Sequence, residues 1–361
     1  MMDKHIVSLH FHALNEQHIF KDLILIPSML NKIYGLKATI VAPEIREDVL
    51  HSEFKYMGVY LLNKRGNFMQ DAADYIIKYG EIIDILFFFG PYKIYDIIGE
   101  IYKKVNPKGK IYLKLDMNRE WLTLLQDEKT FIPILKRADL ITVEDKILQK
   151  YINDKYNCDV EFLRNGYYGD LKKESTNYED KENTILTVGR IGMIEKATEV
   201  LIEAFLKADL QGWKLKLIGN IEDGFFEKIE KFKNNPKFIE QVEFTGVIQD
   251  KKILNNEYKK AKIFAMSSKH EACAHVFSEA AFNGCYIVST DVDGISDIHE
   301  YSSIVPVGDV DSLALALENA AKDEAMAKRN SSLLQEYTKN ECTWERIIGR
   351  LYLLFCVKGF I

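Results

Sequence analysis

Residues 262–284 read KIFAMSSKHEACAHVFSEAAFNG. The first six residues, "KIFAMS" (262–267), form a short, mostly apolar run of strand length. A helical pattern follows over 275–283 and stops at Asn283-Gly284, a strong C-terminal signal. Lys269–Ala274 is then the loop at the carboxyl end of a strand. Two carboxylates, Glu271 and Glu279, flank the helix start, with His270, Cys273 and His275 between them. Residue types alone leave three readings open: an acid/base pair, a metal site or a ligand cradle. The local order favours the cradle, because the first amides of a helix have no partner inside it and attract anions. Glu271 lies before the helix and Glu279 about one turn into it, so they share no helix face.

The same unit repeats outward along the chain. Strand patterns fall at 6–11, 38–42, 59–63, 84–89, 110–115, 140–144 and 160–165, with helical patterns at 19–34, 68–78, 92–105, 119–137 and 145–156. The polar stretch 168–184, YGDLKKESTNYEDKENT, breaks the alternation. It resumes with strands at 185–189, 214–219, 242–246, 262–267, 286–290 and 303–307, and helices at 196–208, 223–233, 250–260, 275–283 and 311–322. Such alternation predicts α/β domains with parallel sheets covered on both faces. The expectation is two Rossmann-like, doubly wound domains, 1–167 and 185–342, joined by a linker at 168–184 and facing a cleft. Residues 343–361, TWERIIGRLYLLFCVKGFI, predict a last helix that packs back on the first domain; its apolar face also suits a membrane surface.

The 361 residues are 47% hydrophobic with net charge −6, which argues against a general nucleic-acid binder. Residues 1–165 hold 23 basic and 23 acidic side chains, so the whole −6 falls on the remainder. The five cysteines, at 158, 273, 285, 342 and 356, show no C-x-x-C spacing, consistent with a reducing, cytoplasmic setting. No apolar run reaches the ~18 residues of a membrane span.

A second anion site is read from TVGRIGMIEKATEVLIEAF (187–205). A strand ends at Gly189-Arg190 and a helix opens near Lys196. Arg190 suits bidentate contact with phosphate oxygens and Lys196 supplies a point charge; solvated loop cations are the plainer reading. GRIG is not the dinucleotide fingerprint, and no G-x-x-x-x-G-K-[ST] loop exists.

Taken in order, Gly189, Arg190 and Lys196, then Phe244–Gly246, Ser268 and the Glu271-x7-Glu279 pair resemble glycosyltransferase family 4. FLRNGYYG (162–169) and GDVDSLALALENA (308–320) extend the similarity over about 160–325. The resemblance implies a GT-B fold and a retaining transferase that needs no metal or other cofactor. It moves a hexose from a nucleotide-diphosphate sugar, a UDP-sugar favoured, to a hydroxyl of a glycan, glycolipid or glycoprotein. Under it, Glu279 binds the ribose and Glu271 contacts the donor sugar, with Ser268 beside it. Arg190, Lys196 and the amides of His275 and Val276 hold the diphosphate, and Gly219, Gly246 and Val247 lie near the base. Two departures stand out. Ala272 and Ala274 replace glycines common in the family, and HFHALNEQHIFKD (10–22) lacks its Gly-Gly.

On the acceptor side Asp116, at a strand end, reads either as a group that orients or deprotonates a hydroxyl or as a helix N-cap. Asp22 reads as a cap for the first helix, Lys21 stays open, and His10 and His12 read more simply as packed or solvated residues. Lys103, Lys104, Lys108, Lys110 and Lys114 could meet anionic lipid at the inner membrane face, though such runs are more often solvated. The competing readings are a zinc site at His270, Cys273 and His275, and a metal-dependent transferase using Asp291-Val-Asp293 or Asp309-Val-Asp311. A sugar-nucleotide epimerase and a non-catalytic sugar-nucleotide-binding subunit also remain.

Overall fold

The structure, a computed structural model, describes residues 4–15, 18, 21–46, 57–62, 66–124, 128–167 and 177–361. The chain divides into two compact units: Met1–Tyr168 with Trp344–Ile361, and Gly169–Thr343.

In the first unit the strands are β1 (His5–Leu9), β2 (Lys37–Ala42), β3 (Gly58–Leu61), β4 (Ile85–Phe89), β5 (Lys110–Lys114), β6 (Leu140–Val143) and β7 (Val160–Phe162). They lie in the order β3-β2-β1-β4-β5-β6-β7, every pairing parallel. Central strands are unbroken apolar runs such as ILFFF in β4, as a sheet covered on both faces requires, whereas the edge strand β3 is largely exposed. The described helices are α1 (Asp22–Tyr34), α2 (Phe68–Tyr79), α3 (Lys93–Val105), α4 (Arg119–Leu124), α5 (Glu128–Arg137) and α6 (Lys146–Tyr156).

In the second unit β8 (Glu182–Val188), β9 (Lys214–Ile218), β10 (Val242–Gly246), β11 (Ala261–Met266), β12 (Tyr286–Thr290) and β13 (Ser303–Val305) form a second parallel sheet. Its order is β10-β9-β8-β11-β12-β13. Its helices are α7 (Thr198–Lys207), α8 (Phe225–Ile229), α9 (Pro236–Gln241), α10 (Lys251–Lys260), α11 (His275–Phe282), α12 (Val310–Lys322) and α13 (Glu324–Glu341). The strand order reverses between β1 and β4 in one sheet and between β8 and β11 in the other. Ligands of doubly wound sheets bind at the carboxyl ends of strands at such points.

The last helix, α14 (Trp344–Val357), belongs to the first unit. Trp344, Ile347, Ile348, Leu351 and Phe355 are buried in the core formed with α1 and β2, each contributing roughly 1.5–3 kcal/mol. Gly166 permits the approach of Trp344, since a Cβ there would lie 2.7 Å from the indole. On the outer side Leu353 and Val357 are exposed.

Several expectations change. The stretch 119–137 holds two helices, and 223–233 holds α8 followed by a single 3₁₀ turn. The short α9 and the 18-residue α13 went unread. The polar stretch 168–184 is ordered at its end: β8 begins at Glu182, and residues 168–176 lie outside the described ones. The anchor is Lys181, whose buried ammonium donates to the carbonyls of Tyr258, Lys259, Ala261 and Asn283. These carbonyls end α10 and α11, where a cation complements the helix dipoles.

Candidate active site

In the second unit the carboxyl ends of β8 and β11 enclose a pocket. Gly189, Arg190, Lys196, Thr198, Ser267 and Ser268 line it. Glycines bring the neighbouring strand ends together. The Gly219 amide donates to the Gly246 carbonyl at 2.9 Å, and the Gly189 amide donates to that of Ile218 at 3.0 Å. Gly219 has φ +148°, and a Cβ there would lie 1.6 Å from the Gly189 oxygen, so no side chain fits. Val247, just beyond β10, is exposed.

Lys196 sits in a turn before α7, which starts at Thr198 rather than near Lys196. Ala197 holds a left-handed conformation, φ +44°, uncommon for a residue with a Cβ. The Ser267 hydroxyl lies 3.1 Å from the carbonyl of Lys196 and 2.9 Å from that of Ala197, bracing the turn from β11. The Lys196 ammonium donates to Glu271 Oε1 at 2.5 Å, and the Ser268 hydroxyl donates to the same oxygen at 2.6 Å. Ser268 is itself fixed, its carbonyl accepting from the Thr290 hydroxyl at 2.6 Å. Arg190, by contrast, is largely exposed and pairs with Glu195 at 3.1 Å.

Glu271 lies in the loop and His275 and Val276 open α11, as the sequence pattern predicts. Ala274 precedes the helix with φ −69° and offers no side-chain cap. Neither Ala272 nor Ala274 has a positive φ, so the two alanines do not strain the loop. The glycine this loop needs is Gly294, where a Cβ would lie 2.5 Å from the Ala272 carbonyl. Glu279 accepts from the Tyr258 hydroxyl at Oε2 (2.8 Å) and from Lys251 at Oε1 (3.0 Å). Neither partner was anticipated. Both lie on α10, and no spacing rule connects that helix to α11.

The first unit places a different set of charges at its strand ends. Lys114 is fully buried, 2.7 Å from Glu144 and 3.1 Å from Asp22. Burial works against its charge, but Glu144 and Asp22 outweigh burial and hold its pKa well above the ordinary value. Asp22 is therefore the buried first residue of α1 and not its cap; the cap position is Lys21. Asp116 is half-buried with φ +43°. Burial pushes its carboxyl up to about 7; Glu144 and Asp22 add to the rise, while Lys114 and Lys21 oppose it. It does not cap α4, because the Trp121 amide is taken by Asn118 at 3.0 Å. His10 is buried, and its Nε2 meets Ser8 Oγ at 2.7 Å. Burial first, then His12 and His18, lowers its pKa to about 3, so it is neutral at pH 7. In the lysine run Lys114 is interior, Lys103 and Lys110 share Asp139, and Lys104 pairs with Glu100.

Among the described residues no cluster of three or more His, Cys, Asp or Glu side chains is arranged to hold a metal ion. Asp309 caps α12 through the Ser312 amide, and Asp311 pairs with Lys207. No disulfide joins any of the five cysteines, all of which lie among the described residues. No described helix is long and apolar enough to cross a membrane.

Residues 182–323, the segment that carries this pocket, match the family model of glycosyl transferases group 1. No curated protein matches the sequence significantly. HepE from Anabaena, solved in complex with UDP, superposes with a TM-score of 0.78 at 15% identity, covering 98% of this chain and 100% of that one. Sucrose-phosphate synthase from Thermosynechococcus elongatus gives 0.76 at 16% identity, with 98% of each chain covered. The lipopolysaccharide outer core galactosyltransferase WaaB gives 0.72 at 14%, covering 98% and 99%. The architecture is GT-B. At these identities the likeness speaks to the fold alone.

Proposed function

We propose that the chain is a retaining glycosyltransferase that moves a hexose from a nucleotide-diphosphate sugar, with UDP favoured, to a hydroxyl of a glycan, glycolipid or glycoprotein. The observation that carries this is the Lys196–Glu271–Ser268 cluster, set at the β8/β11 switch point inside the segment matching the group 1 family model. Without ligand, Lys196 and Glu271 neutralise each other. A diphosphate takes Lys196 and Arg190, and Glu271 is then released to accept from a hydroxyl of the donor sugar.

The reaction needs charge stabilisation where the sugar–phosphate bond breaks. Two cations and the first amides of α11, at His275 and Val276, supply it as negative charge develops on the leaving diphosphate, and no metal is required in this scheme. Gly189, Gly219, Gly246 and Val247 form the nucleotide end of the site, and Glu279 binds the ribose. Asp116 orients or deprotonates the acceptor hydroxyl; a carboxyl near 7 suits proton transfer at neutral pH. HepE was solved with UDP-glucose, which supports UDP as the nucleotide.

The test is acceptor-dependent release of nucleoside diphosphate from UDP-, GDP- and ADP-hexoses, with EDTA present. Arg190→Ala should lower turnover about 100-fold, the typical cost of removing one charge-stabilising donor. Turnover equal to wild type in this variant would remove the diphosphate assignment. Tight nucleotide-sugar binding without transfer to any acceptor extract would favour a non-catalytic binding subunit.

A further inference from the structure

The two oxygens of Glu279 are held differently. Lys251, bonded to Oε1, has a side chain half open to solvent at the start of α10. Tyr258, bonded to Oε2, is fully buried on the same helix. Its helix is tied to α11 at several points. Asn283 Nδ2 donates to Asn255 Oδ1 at 3.0 Å, and the Cys285 thiol lies 3.1 Å from the Tyr258 carbonyl. Lys181 joins the carbonyls of Tyr258 and Asn283. The Tyr258 hydroxyl is therefore a fixed donor, whereas the Lys251 ammonium sits on a side chain half open to solvent.

A carboxylate only accepts hydrogen bonds and has about four lone-pair sites. A vicinal diol needs two of them, both aimed the same way. A free glutamate rotates about its side-chain torsions and pays entropy to meet that demand. One rigid donor on Oε2 fixes the carboxylate plane and leaves the remaining sites for two hydroxyls once Lys251 departs.

We infer that Tyr258 is a positioning residue that sets the Glu279 carboxylate to recognise the 2′,3′-diol of a ribonucleoside diphosphate. The inference rests on the ribose role proposed for Glu279. It makes discrimination between ribose and deoxyribose the property that Tyr258 controls, separate from affinity for the diphosphate.

The experiment is calorimetric titration of the full chain with UDP, GDP and ADP, each beside its 2′-deoxy form. For the nucleotide that binds best, wild type should prefer the ribo form about tenfold or more, the scale of a hydrogen bond to a charged group. Tyr258→Phe removes one hydroxyl from a packed ring and keeps its shape. It should reduce the preference to about threefold or less, with a smaller loss of affinity for the deoxy form, which keeps only its 3′-hydroxyl. In a Glu279→Ala background the same substitution should change nothing, because Tyr258 acts through Glu279. A wild-type preference in Tyr258→Phe, or an equal loss for both sugar forms, overturns the role of Tyr258 alone. Failure of wild type to bind any of the nucleotides overturns the reading of the site on which it depends.

Discussion

Both sheets gather charge at their carboxyl ends, but they handle it in opposite ways. In the first unit Lys114, Asp22 and Glu144 are sealed from water, and the ammonium is shared between two carboxylates. In the second, Arg190 and Lys196 line the pocket and pair with Glu195 and Glu271, Glu279 pairs with Lys251, and each pair keeps some contact with solvent. Removing one partner of a buried pair strands a charge, so the first network is a structural element. Pairs that keep some solvent contact are held less firmly than sealed ones, so the second arrangement is the one suited to a ligand. Lys114 and Lys196 look alike in sequence; burial decides what each does.

The contrast can be broken most forcefully with Lys114→Met. Leaving Asp22 and Glu144 buried and unpaired should cost about 3–5 kcal/mol in a denaturant melt. Lys196→Met should cost clearly less in the same melt, because Glu271 keeps the Ser268 hydroxyl and some contact with solvent. Equal costs at the two sites would erase the distinction.

A smaller effect should come from Asp116. Its folded pKa, about 7, lies above the unfolded carboxyl value, so the folded state holds the proton more tightly. Its contribution to stability is complete below pH ~3.9 and is lost as pH rises through about 7. Asp116→Asn, which cannot ionise beside Glu144 and Asp22, should melt a few degrees above wild type at pH 8. Near pH 4 the two proteins should melt together. The same offset at both pH values would show that the charge is not what matters.

Much of this was legible in the order of residues. Strand–loop–helix alternation exposes parallel sheets because buried strands must be apolar and their crossovers helical, and each predicted strand lies within about three residues of an observed one. Helix α13 was missed for a physical reason. Its buried face is Ala327, Ser331, Leu334 and Thr338, too small and polar to make an apolar stripe, although Asp323 caps it. Lys181 looked like linker because a buried lysine satisfied by carbonyls reads as a surface residue. In the pocket, the loop position of Glu271 and the helix position of Glu279 followed from the strand and the glycine stop around them. Their partners did not. Tyr258 reaches Glu279 from a different helix, and the pairing of Lys114 with Asp22 spans distant parts of the chain.

The central claim is that the β8/β11 end of the second unit binds a nucleoside diphosphate through Glu279 and its neighbours. Isothermal titration of wild type and Glu279→Ala with UDP, GDP and ADP tests it most directly. The account predicts that one of these binds wild type and that Glu279→Ala, still folded, binds it about tenfold more weakly, the loss of a charge-assisted hydrogen bond. Equal affinity in the two proteins, or no binding to wild type, would contradict it.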